Sequence, residues 1–279
     1  MSGGEEPPAP PEEGCVRLVM MGDIVGKPGV RIACRAVNWL RTALHADLIV
    51  ANAENAADGS GLRCDQYRKL TQAGIDGITL GDHVFRKREI VDILAAERNI
   101  VRPVNLPPTA PGATHMLLRT ARGIPVAVLC ALGRIFMPPN DCPFRRVPQE
   151  LDRIPTEVKI RLLDFHAEAT SDMQMMGRYL DGKISAVLGT HTHVATADQQ
   201  ILPGGTAFQC DVGMTGPFEG ILGRKIAPVL DNVLTGLPVP FQVSTKDVRL
   251  NATWFDADAT TGLCRAIGRI AIAETELPG

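Results

Sequence analysis

Residue types that bind metal ions or transfer protons recur directly after apolar segments of this sequence. Carboxylate, amide and imidazole groups together suit Mn, Fe or Zn ions, and no cysteine thiolate belongs to the set. Six or seven such ligands are too many for one tetrahedral ion and suit two ions that share a bridging carboxylate. The residues of either kind, metal-binding or proton-transferring, are Asp23, Glu54, Asn55, Asp82, His83, His166, His191 and His193.

Histidines are concentrated at these positions. Four of the six histidines in the chain fall at the ends of apolar segments, whereas a single histidine at such a place is more often structural. His191 and His193 are two residues apart after one apolar segment. In an extended segment, residues two apart point to the same side, so we expect both imidazoles to address one site.

The elements that must position these residues are apolar strands that alternate with amphipathic helices. The first strand begins at Val16, and residues 30–44 keep the apolar spacing of a helix. This alternation predicts an α/β architecture with buried, largely parallel sheets, whose ligands bind outside the carboxyl ends of the strands. Residues 242–274 instead predict antiparallel strands, and the Pro-rich residues 137–148 predict a loop.

Composition limits the remaining choices. A hydrophobic fraction of 45% and a net charge of -2 exclude a wholly disordered chain and argue against nucleic acid as the main ligand. No apolar run approaches the ~20 residues that span a bilayer, so we expect no membrane association. The acidic, Pro-rich residues 1–14 predict a disordered tail that is not a secretory signal, followed by a single domain over 15–279. A cytoplasmic protein with reduced cysteines is therefore expected.

Two local patterns resemble binding loops but lack parts of them. Residues 22–28, Gly-Asp-Ile-Val-Gly-Lys-Pro, are one residue short of a phosphate-binding P-loop, and Pro28 replaces the hydroxyl that would hold magnesium. Residues 58–62 lack the periodic acids of a calcium-binding EF-hand loop. Neither pattern supports a nucleotide or calcium site.

With these residues assembled, the sequence resembles the YmdB-type metallophosphoesterases, a branch of the calcineurin-like phosphoesterases. The resemblance runs from about Val16 to the C-terminus, and the combination of DFHAEATS with GTHTHV makes it specific. The strings that carry it are GDIVGKPG (22–29), NAENAADGSGL (52–62), GDHVF (81–85), RPVNLP (102–107), DFHAEATS (164–171), GTHTHVATAD (189–198) and DVGMTGP (211–217).

The resemblance implies two stacked β-sheets flanked by helices, with a two-metal site at the strand ends. His83 matches the residue that donates a proton to the leaving group, and Glu54 would bridge two ions, iron or manganese, with zinc as the alternative. Members of the family are similar to phosphodiesterases that act on cyclic nucleotides, notably 2′,3′-cyclic ones. By motif position, one ion would be held by Asp23, Glu54, Asn55 and His193, and the other by Asp82, His166 and His191.

One ligand position departs from the family pattern. The family has Gly-Asn-His-Thr-Trp where this chain has Gly81-Asp82-His83-Val84-Phe85. An aspartate still ligates through oxygen, so we expect metal binding to persist while the charge of the site changes.

The expected function is therefore hydrolysis of a small phosphodiester or cyclic nucleotide. Two alternatives stay open: a metal-containing regulatory or scaffold protein with vestigial activity, and a phosphomonoesterase or 5′-nucleotidase that uses the same site. Arg86, Arg102 and Arg134 are candidate phosphate contacts. The C-terminal strands offer a pairing edge, which leaves a homo-oligomer open.

Overall fold

The computed structural model describes residues 8–277. Residues 1–7 of the tail predicted over 1–14 lie outside the described residues. Residues 8–14 contain no helix or strand. All seven cysteines are free thiols. Within the described part of the chain, no helix has the length and apolar composition needed to cross a bilayer.

The first sheet contains eight strands in the order β2-β12-β13-β1-β3-β4-β5, with β14 paired to β13. Strands β1, β3, β4 and β5 run parallel to one another, as the sequence predicts, and β1 pairs antiparallel with β13. Its strands are β1 (Cys15–Met21), β2 (Asp23–Ile24), β3 (Leu48–Asn52), β4 (Gly77–Thr79), β5 (Ile100–Val101), β12 (Met214–Pro217), β13 (Val248–Asp258) and β14 (Cys264–Ala273).

The second sheet contains six strands in the order β10-β11-β9-β8-β7-β6. Its centre is parallel and its two outermost strands are antiparallel, so both sheets are mixed rather than wholly parallel. Its strands are β6 (His115–Arg119), β7 (Pro125–Leu132), β8 (Ile160–His166), β9 (Ala186–Thr190), β10 (Gln200–Ile201) and β11 (Ala207–Gln209).

The two sheets pack face to face through a buried apolar layer. Leu18 and Val50 of the first sheet share this layer with Val128 and Leu162 of the second, and all four side chains are fully buried. Helices α1–α3 cover the outer face of the first sheet, and α4 and α5 cover that of the second. The helices are α1 (Gly26–Thr42), α2 (Cys64–Gln72), α3 (Ile90–Ala96), α4 (Pro143–Leu151), α5 (Thr170–Leu180) and α6 (Ile226–Thr235). The predicted α/β fold with two stacked sheets is confirmed.

The loop predicted over residues 137–148 is partly wrong, because helix α4 begins at Pro143. A proline is tolerated at the first helical position, where its missing N–H would have no partner in the helix. Val147 and Leu151 are buried against the second sheet. The proline-rich composition therefore concealed a helix whose apolar face is needed by the core.

Candidate metal centre

The parallel strands of both sheets end at one edge of the molecule, and the predicted site residues gather there. Glu54 follows β3, Asp82 follows β4, and His166 is the last residue of β8. The chain approaches closely at Gly81, where a Cβ would collide with the Glu54 carboxylate and the His166 ring. Glycine is therefore required at position 81 for the first and second sheets to bring these side chains together.

An inner cluster is formed by Glu54, Asp82, His166 and His191, each of which offers one ligand atom within 4.8 Å of the others. His166 Nε2 lies 3.1 Å from Glu54 Oε1 and 3.3 Å from Asp82 Oδ1. His191 Nδ1 lies 3.0 Å from His166 Nε2 and 3.6 Å from Asp82 Oδ1. Convergence of two carboxylates and two imidazoles on one point is the arrangement that a divalent cation requires.

Asp23, Asn55 and His193 lie beside the inner cluster. Asn55 Nδ2 is 3.1 Å from His193 Nε2 and 3.3 Å from Glu54 Oε1. Asp23 is fully buried, and its Oδ2 accepts a hydrogen bond of 2.9 Å from the His191 backbone N–H. Its Oδ1 is buried and has no hydrogen-bond partner among residues 8–277. An unpaired buried carboxylate oxygen is costly, and a bound cation would satisfy it.

The pKa of His166 indicates that negative charge predominates around its ring. Burial opposes protonation of this fully buried ring, but the carboxylates of Glu54, Asp82 and Asp23 outweigh burial and raise its pKa well above the usual value. A proton on His166 thus supplies positive charge at the place where the carboxylates converge. The donor set fits a metal ion, which would supply that charge instead.

The orientation of His166 is set by a buried hydrogen-bond network beneath it. Thr190 Oγ1 lies 2.8 Å from His166 Nδ1 and donates to Asp164 Oδ1 at 2.6 Å. The hydroxyl has one proton, which it gives to Asp164, so it accepts the proton of Nδ1, and Nε2 is the ring nitrogen that faces the cluster. Burial raises the pKa of Asp164 to about 6, although hydrogen bonds from Thr190, Thr79 and Asn52 oppose the rise.

The predicted extended geometry of the His191–His193 segment is wrong. Strand β9 ends at Thr190, and both histidines adopt positive φ, 110° at His191 and 65° at His193. Thr192 between them donates its N–H and its hydroxyl to Asp211 Oδ2, at 2.9 and 2.8 Å. The two rings therefore diverge: His191 faces the inner cluster, and His193 contacts Asn55.

His83 lies at the edge of the site. Its backbone N–H donates to Glu54 Oε2 at 2.9 Å, and its Nδ1 lies 3.0 Å from Asn55 Oδ1. Its Nδ1 also lies 3.3 Å from Glu54 Oε1. This contact between the two side chains is the main cause of the raised pKa of His83, and burial opposes it. A partly exposed imidazole whose protonated form is favoured is suited to donating a proton.

A cleft of about 350 Å³ opens over these residues. It is lined by the metal-centre residues Glu54, Asn55 and His83 and by the apolar side chains of Leu222 and Phe241. This volume is in the range of sites for small molecules.

The arginines proposed from sequence do not line the cleft. Arg102 is buried, and its guanidinium donates to the backbone oxygens of Ala110 and Pro103. Arg224, which the sequence did not single out, does line it. Sequence patterns alone were therefore insufficient to identify the arginine that lines the cleft.

Other supporting residues were also missed, and some carried a readable signal. Asp164 is two residues before His166 in the same strand, so both side chains point to the same face. Asp211 follows β11, in the same way as the predicted ligands follow their strands. Glu168, which lies 3.1 Å from His191 Nε2, carries no comparable pattern.

Comparison with known proteins gives consistent matches over most of the chain. The model of the YmdB-like protein family matches residues 19–270. The 2′,3′-cyclic-nucleotide 2′-phosphodiesterase of Bacillus subtilis (strain 168) is 40% identical over 262 residues, which cover 94% of this chain and 99% of that protein.

Two solved structures share the fold. A hypothetical protein from Thermus thermophilus superimposes with a TM-score of 0.87 at 39% identity, over 93% of this chain and 100% of the other. A novel phosphatase from Mycoplasma pneumoniae gives a TM-score of 0.86 at 29% identity, over 93% and 94% of the two chains. The two-sheet architecture is the calcineurin-like fold that the sequence predicted.

Proposed function

This chain belongs to the YmdB-like protein family, and we propose that it is a metal-dependent phosphodiesterase that hydrolyses a small phosphodiester such as a 2′,3′-cyclic nucleotide. The observation that carries the proposal is the buried Oδ1 of Asp23 beside the inner cluster, which has no hydrogen-bond partner among the described residues and lies 4.0 Å from His166 Nδ1. A buried site that contains several carboxylates favours the binding of cations.

Two transition-metal ions, iron or manganese with zinc as the alternative, would occupy the site. Convergence of the inner cluster supports one position, and the Asn55–His193 contact beside Asp23 supports the second. Glu54 would serve both, since its carboxylate lies against His166 and Asn55. The proposed ligands are Asp23, Glu54, Asn55 and His193 for one ion, and Asp82, His166 and His191 with Glu54 for the other.

Such ions supply, when bound, the positive charge that polarises a phosphoryl group and lowers the pKa of an attacking water. The remaining work belongs to side chains of this protein. His83, protonated more readily because of Glu54, would donate its proton to the departing alkoxide. Asn55 lies against the His83 ring at 3.0 Å and restricts its orientation. The apolar side chains that line the cleft, Leu222 and Phe241, would reduce the contact of bound substrate with water.

Metal analysis combined with a substrate panel tests the proposal. Protein purified without added metal should contain close to two transition-metal ions per chain and should hydrolyse 2′,3′-cyclic AMP and bis-p-nitrophenyl phosphate. Dialysis against EDTA should abolish both activities, and manganese or iron should restore them. A protein that binds one ion or none, or that turns over no diester when loaded, would contradict the proposal. A metal-loaded but inactive protein would favour the scaffold alternative.

A further inference from the structure

Glu168 places a negatively charged side chain in the cleft, outside the inner cluster. It follows the end of β8 by two residues, and its side chain is 47% exposed while it lines the cleft. Its Oε2 lies 3.1 Å from Nε2 of His191, on the far side of that ring from the Nδ1 that faces the inner cluster. A histidine that binds a metal does so as a neutral imidazole, so His191 would not cancel the charge of Glu168.

The cations of the cleft do not offset this carboxylate. The described residues that line the cleft include one arginine, Arg224, and no lysine. Its Nη1 donates to the backbone oxygens of Asp58 and Phe241, and its Nη2 donates to the oxygen of Gly59. The guanidinium therefore fastens two loops to each other rather than being directed at a ligand. The protonated form of His83, which also lines the cleft, is paired with Glu54 Oε1 at 3.3 Å. Apart from bound metal ions and His83, the described part of the cleft therefore offers a substrate the Glu168 carboxylate without a compensating lysine or arginine.

We propose that Glu168 makes the cleft selective for phosphodiesters, which carry one negative charge, over phosphomonoesters, which carry nearly two. The inference rests on the proposed function and adds a specificity determinant to it. A terminal phosphate ionises a second time with a pKa near ~6, so at neutral pH the monoester has the extra charge and the diester does not. That extra charge meets a carboxylate that no described side chain of the cleft neutralises, whereas an ester group in the same place is uncharged.

The size of the effect follows from Coulomb's law. Two like charges a few ångströms apart in a partly exposed cleft repel each other by an energy that corresponds to roughly tenfold or more in relative rate. Because the cleft is open to solvent, salt should weaken the discrimination. Selectivity should therefore depend on the charge at position 168 and on ionic strength.

Two substitutions separate charge from contact. Glu168→Gln removes the charge and retains an oxygen that accepts a hydrogen bond from His191 Nε2. Glu168→Asp retains the charge and shortens the side chain, which weakens the contact with His191. Glu157→Gln, at an exposed position before the opposite end of β8, is the matched control. For each variant, kcat/KM is measured on bis-p-nitrophenyl phosphate and on p-nitrophenyl phosphate, together with bound metal.

Glu168→Gln should raise the monoester-to-diester ratio of kcat/KM about tenfold at low salt and less at high salt. Glu168→Asp and Glu157→Gln should keep the wild-type ratio. An unchanged ratio in metal-loaded Glu168→Gln would overturn the inference and leave the phosphodiesterase assignment intact. Equal loss of both activities together with metal would also overturn it, since Glu168 would then act only through His191. A wild-type protein without diester activity would instead refute the proposed function, which is a separate result.

Discussion

Two adjacent strands of the second sheet, β8 and β9, deliver histidines to the same site in different ways. His166 is the last residue of β8, pairs in register with Thr190 of β9, and is fully buried. His191 and His193 lie beyond the end of β9, are partly exposed, and adopt positive φ. Regular strand geometry is sufficient to place the first histidine, whereas the other two need a strained turn.

The two strand ends differ in backbone strain. Non-glycine residues with positive φ cost on the order of 1–3 kcal/mol each, so the turn must be held by other contacts. The contacts come from Asp211, which accepts hydrogen bonds from Thr192 and from the Gly213 N–H. The described residues at the end of β8 show no such strain, and the network around Asp164 only orients a ring. We therefore expect the turn to be the more fragile half of the site.

The largest effect should come from the residue proposed to serve both metal ions. Glu54 contacts His166, His83 and Asn55. Glu54→Ala should remove most bound metal and lower diester hydrolysis by at least ~10³-fold, because metal ions supply several kcal/mol of transition-state stabilisation. Mass spectrometry of bound metal and kcat/KM measure the two losses, with Glu157→Ala as control. Retention of two ions by Glu54→Ala would show that it is not a shared ligand.

Substitution of His83 tests the proposed proton donation to the leaving group, and it alters neither the end of β8 nor the turn after β9. His83→Ala should retain the metal ions and lower turnover of 2′,3′-cyclic AMP by ~10²–10⁴-fold, the usual contribution of a general acid. The loss should be much smaller for bis-p-nitrophenyl phosphate, because p-nitrophenolate leaves without a proton. Equal losses on the two substrates would remove His83 from the role of proton donor.

Asp211→Asn should reveal the dependence of the turn on one carboxylate. Asparagine has one acceptor oxygen, so either Thr192 or Gly213 loses its hydrogen bond. We expect metal affinity to fall by ~10–100-fold, as for other residues that orient metal ligands. Asp164→Asn, the corresponding change beneath His166, should cost less because no strained backbone is released there. Equilibrium metal competition compares the two variants, and a larger loss in Asp164→Asn would reverse the proposed order.

Asp211→Asn should also change how the free energy of unfolding of the metal-free protein depends on pH. Burial and the negative charge of Asp23 raise the pKa of Asp211 to about 8, far above the ~3.9 of an unfolded aspartate. The folded state then holds a proton that the unfolded state releases, so the free energy of unfolding falls as the pH rises from about 4 to about 8. Asp211→Asn should flatten this dependence in urea unfolding measurements. Parallel pH profiles for the two proteins would show that Asp211 is not the group responsible.

Sequence reasoning predicts the site best where regular structure places the residues. Polar residues that follow parallel strands converge because the strand ends share one edge, so the meeting of Glu54, Asp82 and His166 could be predicted without coordinates. The turn at His191–His193 could not, because its backbone depends on Asp211, a contact between residues 19 positions apart. Glu168 was missed because an exposed acid after a strand has no distinguishing pattern. Helix α4 was missed because proline content outweighed its apolar spacing.

The smallest expected effect concerns Asp82, where this chain has an acid in place of the asparagine that the sequence resemblance implies. Asp82 Oδ1 lies in the inner cluster, 3.3 Å from His166 Nε2. Burial opposes its ionisation, but the hydrogen bond and charge of His166 outweigh burial and lower its pKa, so the carboxylate is ionised at neutral pH. In the described part of the chain, no ion pair joins Asp82 to Arg86, so that arginine does not cancel the charge.

An ionised ligand binds a cation more strongly than an amide does, and it also lowers the net positive charge at the site. Less positive charge acidifies the attacking water less, so the pH optimum of this protein should lie above that of Asp82→Asn. We expect the substitution to move the optimum down by ~0.5–1 unit and to hasten metal loss to EDTA. Because the change adds an amide without altering size, the turn and the end of β8 should keep their geometry. Superimposable pH–rate profiles and equal EDTA half-lives for the two proteins would show that the charge at position 82 has no electrostatic effect on the site.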